Sequence, residues 1–351
     1  MPIFLPTSEA KLEKAQSFLS LSRGTSKTLC CFEPLCQRPP LETMPTIQLD
    51  AGMATTLERS FKQDLSDYLW SAGCLQNNPE AIKGTHALHL KAGAEIITTC
   101  TYQASFQGFQ RAGYSEQEAV NTMLKGVELA NEAKKDCGKP NVRVALSIGP
   151  YGAMLANGSE YTGDYHGTTG RELEEFHRRR LNVFFSDGNP QSGIDIMLFE
   201  TIPCYQEAQA IQQLLKHVQY PVPVMVSFSC NSAHTVCHGE PISDCVALFK
   251  DMDQVIAVGV NCTKPRYISS LLQDIKTTVP NKTIIVYPDG GEEWDAEARS
   301  WVSGTKVGAD AFGRMCKKWA DQFGPDIIIG GCCGTTQDHI ASITQNVTNH
   351  Q

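Results

Sequence analysis

Three cysteines at the ends of two apolar runs are the residues with the clearest chemistry in this sequence. Cys332 and Cys333 are adjacent, lie among glycines and directly follow the apolar run 327–329, and Cys262 ends a similar run at 258–261. Free cysteines are most often small buried hydrophobes, and adjacent cysteines rarely form a relaxed disulfide with each other. If the two strand ends face one another, three thiolates converge. Three protein ligands with one vacant position are the pattern of a catalytic zinc site.

Short apolar runs rich in β-forming residues recur along the chain and alternate with helical stretches. The predicted strands are 46–50, 94–100, 142–148, 194–201, 222–230, 255–262, 283–287 and 327–331. The predicted helices are 79–91, 115–135, 170–185, 205–217, 243–250, 264–277, 296–306 and 335–345. Most of the strand runs are continuously apolar, which is typical of parallel strands buried on both faces.

The repeated strand–helix unit indicates the fold class. Eight βα units in about 300 residues predict an α/β protein with a single (β/α)8 barrel of the TIM type. An open doubly wound sheet is the alternative, but no Gly-x-Gly-x-x-Gly segment follows any of the predicted strands. Residues 1–43 mix Ser, Pro, Lys and Glu without sustained periodicity. They are therefore predicted to be a poorly structured N-terminal extension, and residues 44–351 the barrel.

Charge and cysteine content narrow the partners and the compartment. The chain has 351 residues, a formal net charge of −8 and no long basic run. We therefore do not expect it to bind nucleic acid or anionic membranes. No apolar run approaches the roughly 20 residues that span a bilayer. The 14 cysteines show no disulfide-framework spacing, and we find no convincing signal peptide. We therefore expect a cytoplasmic protein with free or metal-bound thiols. Nothing in the sequence indicates an oligomeric state.

Acidic side chains at the predicted strand ends suggest the substrate. In a (β/α)8 barrel the reactive groups collect at the carboxyl ends of the strands, where Asp50, Glu200 and Asn261 also lie. Three thiolates make zinc electron-rich, so bound water is poorly activated and a substrate sulfur is the better fourth ligand. This favours alkyl transfer to a thiol. Asp50 and Glu200 are the candidates for holding the ammonium group of an amino-acid thiol, although each could instead cap a helix or accept a loop hydrogen bond.

Seven short motifs occur in an order that resembles one known family. They are Leu-Asp-x-Gly-Met at 49–53, Thr-x-Thr-Tyr-Gln-Ala-Ser at 99–105, Ser-Ile-Gly-Pro-Tyr-Gly at 147–152, Glu-Thr-Ile-Pro at 200–203, Gly-Val-Asn-Cys at 259–262, Tyr-Pro-Asp-Gly-Gly-Glu at 287–292 and Gly-Gly-Cys-Cys-Gly-Thr-Thr at 330–336. Over about residues 46–345 the chain resembles the homocysteine S-methyltransferase family. The stretch 161–165 is most similar to its fungal and plant-like members, which use S-methylmethionine or S-adenosylmethionine.

The resemblance carries specific expectations. It implies a barrel that holds one Zn²⁺ through Cys262, Cys332 and Cys333, with homocysteine as methyl acceptor and methionine as product. It also implies that Asp50 and Glu200 bind homocysteine, and we expect Asn261 to contact substrate as well. Zinc would hold the homocysteine thiolate in line with the methyl of a sulfonium donor. No general acid is needed, because the donor loses its positive charge as the methyl departs.

Two other functions and one departure from the family pattern stay open. A betaine-dependent homocysteine methyltransferase shares the same zinc barrel but has a C-terminal extension, whereas this chain ends soon after its eighth predicted helix. A non-catalytic barrel that binds zinc or a thiol amino acid is the second alternative. The family commonly has Asp-Gly-Gly where this chain has Ala51 after Asp50. We expect the extra methyl group to be tolerated, unless the backbone there needs a positive φ.

Two further groups of side chains have weaker predicted roles. The aromatic faces of Tyr102, Tyr151, Tyr287 or Trp294 are candidates for holding the donor cation, with rim packing as the alternative for each. A second cluster follows the fifth predicted strand and consists of Cys230, His234, Cys237 and His238. It could be read as a structural zinc site, but adjacent ligands strain tetrahedral geometry, so a polar loop over the pocket is the favoured interpretation.

Overall fold

The computed structural model describes residues 46–186, 193–292, 294–295, 300–302, 304–324 and 326–347. The predicted N-terminal extension, residues 1–43, lies outside the described residues, so that boundary stays a prediction. Within the described ranges, no helix has the length and apolar character that crossing a membrane requires.

Eight parallel strands form the sheet at the centre of the molecule. Two further strands of the described residues lie outside this sheet. In chain order the strands of the described residues are β1 Ile47–Gln48, β2 Ile96–Thr98, β3 Arg143–Ile148, β4 Ile196–Ile202, β5 Val224–Phe228, β6 Val255–Asn261, β7 Thr283–Tyr287, β8 Trp294–Asp295, β9 Ser300–Trp301 and β10 Ile327–Ile329. The sheet order is β1-β10-β7-β6-β5-β4-β3-β2, and β8 pairs with β9 as a separate antiparallel hairpin. A parallel bridge between Leu49 and Ile96 joins the two end strands and closes the barrel. The predicted (β/α)8 fold is confirmed.

Helices surround the sheet, and four of those in the described ranges begin at a side-chain cap. They are α1 Met53–Phe61, α2 Cys74–Asn77, α3 Pro79–Ala92, α4 Phe106–Arg111, α5 Glu116–Asp136, α6 Tyr151–Leu155, α7 Gly170–Phe185, α8 Tyr205–His217, α9 Ile242–Ala247, α10 Ile268–Thr278, α11 Ala309–Phe323 and α12 Gln337–Val347. Ser115 and Glu118 form a capping box at the start of α5, and Thr169 and Glu172 form another at α7. Each box satisfies two backbone donors that a helix start leaves free.

One predicted helix is wrong in position. The described part of 296–306 is not helical and contains β9, whereas the helix before the last barrel strand is α11. Its buried side chains at 312, 316, 319 and 323 follow spacings of four, three and four residues, which place them on one face. That apolar face covers the barrel.

Two apolar layers hold the barrel together. Small and branched side chains from alternate strand positions fill the interior, among them Leu49, Ala145, Leu198 and Ile285. The opposite faces of the same strands pack against the helices in a larger apolar layer. Burial on both faces explains why the strand runs are continuously apolar. The carboxyl ends of the strands are left as the place where polar side chains meet.

Candidate active site

The three predicted ligand cysteines come together at the carboxyl ends of β6 and β10. Their sulfur atoms all lie within 4.8 Å of one another, and among the described residues no other group of His, Cys, Asp or Glu side chains has this geometry. The Sγ atoms of Cys262 and Cys333 are 3.6 Å apart. Cys262 and Cys332 are joined as a disulfide, with Cα atoms 5.5 Å apart. Reduction of that bond therefore yields three thiols around one point.

Backbone hydrogen bonds fix the loop that carries Cys332 and Cys333. The amide of Cys332 donates to the carbonyl of Pro288 at 2.8 Å, and the amide of Gly331 donates to the carbonyl of Asp50 at 3.0 Å. Gly52 packs so closely on this loop that a Cβ atom there would lie 2.5 Å from the Cys332 carbonyl oxygen. The glycine at position 52 is thus required by the close approach of two backbones.

Ala51 occupies its position without backbone strain. It is buried and lines the cavity, and it is not among the described residues with positive φ. The expected tolerance of the extra methyl group therefore has a structural basis.

Cys262 is positioned by an unusual pair of strand ends. Both Thr201 and Cys262 adopt positive φ, at 62° and 46°, which is rare for residues other than glycine and costly for a β-branched one. Asn261 is fully buried between them and hydrogen-bonds both the backbone amide and the hydroxyl of Thr201. Its side chain does not line the cavity. The structure thus gives Asn261 a role in holding Cys262, and its contact with substrate stays a prediction.

Asp50 is a buried carboxylate at the end of β1. Its Oδ2 atom accepts hydrogen bonds from the amide of Thr98 at 2.7 Å and from the Thr98 hydroxyl at 3.0 Å. The Nδ1 atom of His89, on α3, lies 3.8 Å from the same oxygen. These contacts fix the orientation of the carboxylate, which faces the cavity.

Glu200 is the second predicted carboxylate, and it faces the same cavity from β4. Ser147 donates to its Oε1 atom, and the Tyr287 hydroxyl donates to Oε2 at 3.0 Å. Burial raises the pKa of Glu200 to about 7, against the two hydrogen bonds that lower it, and Asp50 raises it further. Because burial disfavours the charged form of a carboxyl group, Glu200 is poised to ionise when a cation arrives.

A cavity of about 400 Å³ connects these groups. It is lined by the three cysteines and by four carboxylate side chains, Asp50, Asp67, Glu160 and Glu200. None of its described lining residues is Lys, Arg or His. Such a lining attracts cations and disfavours anions.

The aromatic predictions have mixed outcomes. Tyr102 and Tyr287 line the cavity, whereas Tyr151 packs edge-on against Tyr165 and Phe176 outside it. The side chain of Trp294 lies outside the described residues. Among the lining residues that sequence reasoning missed are Asp67, Trp70 and Glu160, and it gave Tyr161 no role near the sulfurs. The 161–165 motif was the signal available for Tyr161, whose hydroxyl lies against the Cys333 sulfur.

The second cysteine–histidine cluster does not form a metal site among the described residues. The thiols of Cys230 and Cys237 are buried, and burial raises the pKa of both. His234 pairs with Asp274 at 2.7 Å, and His238 pairs with Glu240 at 2.8 Å. The two histidines are therefore turned to carboxylate partners, as in a polar loop, but none of the four residues lines the cavity, so the predicted position over the pocket is not supported.

The donor set fits one soft or borderline metal ion. Three sulfurs within 4.8 Å of one another can ligate a single tetrahedral ion while a fourth position faces the cavity. Burial raises the pKa of the Cys333 thiol to about 11, so a nearby cation is needed to hold the thiolate form at neutral pH. The sulfur-only composition favours zinc over magnesium or calcium, which prefer oxygen ligands.

Comparisons with known proteins agree with this geometry. A family model described as homocysteine S-methyltransferase matches residues 47–347. The chain is 40% identical over 319 residues to Homocysteine S-methyltransferase 2 of Arabidopsis thaliana, covering 86% of this chain and 93% of the relative. It is also 40% identical over 317 residues to Selenocysteine Se-methyltransferase of Brassica oleracea var. italica, covering 86% and 89%. The crystal structure of the homocysteine methyltransferase MmuM from Escherichia coli in its metallated form matches with a TM-score of 0.72 at 31% identity, covering 87% and 97%.

Proposed function

The chain belongs to the homocysteine S-methyltransferase family, and on that premise we propose that it transfers a methyl group from a sulfonium donor, S-methylmethionine, to the sulfur of homocysteine. The product from homocysteine is methionine. The observation that carries the proposal is the meeting of three cysteine sulfurs and two buried carboxylates, Asp50 and Glu200, around one cavity.

The acceptor is recognised by charge as well as by sulfur. Asp50 and Glu200 present oxygens to a cavity without basic side chains among its described lining. An amino-acid ammonium group placed between them gains charge-assisted hydrogen bonds, which are about twice as strong as neutral ones. Thr98, Ser147 and Tyr287 hold both carboxylates in place before substrate enters.

Cys262, Cys332 and Cys333, in reduced form, would hold a zinc ion at the inner end of the same cavity. When bound, zinc supplies the Lewis acidity that keeps a substrate thiol deprotonated at neutral pH. Asn261 and the close packing of Gly52 hold the backbone segments that carry the three cysteines.

The donor must be compatible with a strongly acidic cavity. A sulfonium compound brings a positive charge, which four carboxylates attract and which disappears as the methyl group departs. The acceptor sulfur contributes the electron pair of the new carbon–sulfur bond. The pair of the broken bond stays on the donor sulfur, so no general acid is required. A cavity of about 400 Å³ favours S-methylmethionine beside homocysteine over the larger nucleoside-bearing S-adenosylmethionine.

Methionine formation from homocysteine tests this function directly. S-methylmethionine, S-adenosylmethionine and betaine are offered separately to reduced, zinc-loaded protein, with a chelated sample as control. We expect turnover with S-methylmethionine that is lost on chelation. Turnover with betaine alone would move the chain to the betaine-dependent branch. Absence of turnover with every donor, in protein that retains zinc, would favour a binding protein.

We further propose that the enzyme is cytoplasmic, because a disulfide between Cys262 and Cys332 would remove two of the three ligands and a reducing environment prevents it. Fractionation of cells that produce the full chain tests this placement, and recovery of the protein in an oxidising compartment would contradict it.

A further inference from the structure

Glu160 is a cavity carboxylate that the acceptor site does not use. It lies in a single 3₁₀ turn, Ser159–Tyr161, within the loop between β3 and α7, and it lines the same cavity as the cysteines. Asp50 and Glu200 come from the strand ends themselves, whereas Glu160 is supplied by a loop above them. The cavity therefore has carboxylates from its strand ends and also from loops, where Asp67 lies as well.

The backbone of Glu160 is held firmly on the barrel. Its carbonyl accepts a hydrogen bond from the Ser229 hydroxyl at 3.1 Å. Gly152 packs against its amide, where an added Cβ atom would lie 2.5 Å from the Glu160 nitrogen. Ser159, the preceding residue, is buried. The position of the side chain is thus fixed by contacts that do not involve its carboxylate.

The carboxylate itself lacks a partner for one oxygen. Oε2 of Glu160 is buried and has no hydrogen-bond partner among the described residues. Burial also raises the pKa of Glu160. An unpartnered buried carboxylate costs stability, and such a cost at a well-fixed cavity position is expected where a ligand completes the site.

The neighbours of Glu160 place it near the sulfurs. The Tyr161 hydroxyl lies close enough to Cys333 and to Glu160 that both raise its pKa, with Cys333 the larger cause. The Tyr102 hydroxyl, whose pKa is raised mainly by burial, is influenced by both Glu160 and Glu200. Glu160 and the ligand cysteine Cys333 therefore share Tyr161 as an electrostatic neighbour, and both line the same cavity.

We propose that Glu160 is a donor-binding residue, whose carboxylate pairs with the positive charge of the incoming sulfonium amino acid while Asp50 and Glu200 hold the acceptor. This inference rests on the proposed function, because it assigns one side of that reaction to a residue. The assignment also divides the carboxylates between the two substrates. Asp50 and Glu200 meet the acceptor ammonium, and Glu160 meets a donor whose sulfonium charge is lost on transfer.

The test compares Glu160→Gln with Asp164→Asn, which removes the same charge from an exposed position of the same loop. Steady-state kinetics are measured by varying S-methylmethionine and homocysteine in turn. Loss of a charge-assisted contact predicts a KM for S-methylmethionine at least about tenfold higher in Glu160→Gln. In the same variant, the KM for homocysteine is expected to stay within about twofold of its value in the unaltered protein. Asp164→Asn leaves both values unchanged.

Thermal melting without donor separates a binding role from a structural one. Glu160→Gln removes the charge of a half-buried carboxylate whose Oε2 atom has no partner among the described residues, so the variant is expected to melt at or above the temperature of the unaltered protein at pH 8. A lower melting temperature, an unchanged donor KM, or equal increases in both KM values would overturn the assignment.

Calorimetric binding of S-methylmethionine keeps the two proposals distinguishable. If the unaltered protein binds this donor without turnover and Glu160→Gln binds it at least about tenfold more weakly, the proposed function fails and the donor site stands. If turnover occurs but the variant binds donor normally, the function stands and the role of Glu160 is wrong.

Discussion

Asn261 and Thr201 hold each other across the ends of β6 and β4 by two hydrogen bonds. The Thr201 amide donates to Asn261 Oδ1 at 2.8 Å, and Asn261 Nδ2 donates to the Thr201 hydroxyl at 2.7 Å. Both Thr201 and Cys262, the residue after Asn261, have positive φ. One buried amide thus stabilises two strained strand ends, one of which carries a ligand cysteine and the other of which follows Glu200.

Replacement of Asn261 by Ala is expected to damage the metal site more than the acceptor site. The substitution leaves the buried Thr201 amide unsatisfied, so we expect a loss of about 2–3 kcal/mol in the free energy of unfolding. Zinc content, measured after dialysis against a weak chelator, should fall with it. Full zinc content together with a raised KM for homocysteine would instead show that Asn261 is a direct substrate contact.

Replacement of Cys332 by Ser should abolish both zinc binding and methyl transfer. A hydroxyl is a poor zinc ligand beside two thiolates, and two remaining cysteines cannot hold the ion tightly. Cys137→Ser is the matched control, because Cys137 is a free cysteine outside the cavity. Zinc is quantified by elemental analysis and activity by methionine formation. Turnover in a zinc-free Cys332 variant would falsify the proposed mechanism.

The raised pKa of Glu200 predicts a pH dependence of acceptor binding. With its pKa at about 7, Glu200 is mostly protonated at pH 6 and mostly ionised at pH 8, so affinity for an ammonium group should increase across this interval. The titratable groups that interact with Glu200 include Asp50, Tyr102, Tyr287 and Cys333.

The measurement for Glu200 is the dissociation constant of homocysteine from pH 6 to 8 in the unaltered protein and in Glu200→Gln. Ionisation of the substrate thiol contributes to both curves, so the difference between them isolates Glu200. Between pH 6 and 8 we expect the dissociation constant of the unaltered protein to fall by up to about tenfold more than that of Glu200→Gln. Parallel curves would show that Glu200 does not meet the ammonium group.

The barrel and the cysteine cluster are predictable from sequence because each depends on local patterns. Continuous apolar runs identify the strands, and strand ends identify the residues on the rim. The error at 296–306 arose because that stretch lies between β7 and α11, where the chain makes a hairpin before the helix.

Other features depend on contacts between distant segments, which no local pattern reveals. Arg180, on α7, is buried and donates hydrogen bonds to the carbonyls of Gly149 and Tyr102 on two different loops. Asn261 was predicted as a substrate contact because of its place beside Cys262, but its partner is 60 residues away. Glu160 became a candidate only when its loop was seen to cover the cavity.

Glu207 offers a prediction about how that loop is held. This fully buried carboxylate accepts hydrogen bonds from the Tyr151 amide at 2.7 Å, from the Tyr165 hydroxyl and from His177 Nε2 at 2.8 Å. Burial lowers the pKa of His177, so the histidine is neutral and donates from Nε2. Glu207 therefore ties both ends of the segment that contains Glu160 to α7 and α8.

Glu207→Gln should destabilise the fold, because a neutral amide oxygen accepts the Tyr151 and His177 hydrogen bonds more weakly than a carboxylate, and the Tyr165 hydroxyl must reverse its role and accept. We expect a loss of about 2–4 kcal/mol in the free energy of unfolding by urea. Glu128→Gln, on the exposed face of α5, is the control and should change it by less than about 0.5 kcal/mol. Equal stability of the two variants would contradict the role given to Glu207.

The adjacent residues Ala51 and Gly52 give a paired test of the first-strand turn. Gly52→Ala places a methyl group 2.5 Å from the Cys332 carbonyl oxygen, so the loop with two ligand cysteines must move. Changes in the groups that support metal ligands typically weaken metal binding about 10–100-fold, and we expect a loss of this size when zinc affinity is measured by competition with a chromogenic chelator.

Ala51→Gly restores the residue common in the family at a position without positive φ. It should cost only about 0.4–1 kcal/mol of stability and leave zinc affinity and the homocysteine KM within about twofold. If Ala51→Gly sharply improved homocysteine binding while Gly52→Ala had no effect, the close approach would have been assigned to the wrong residue.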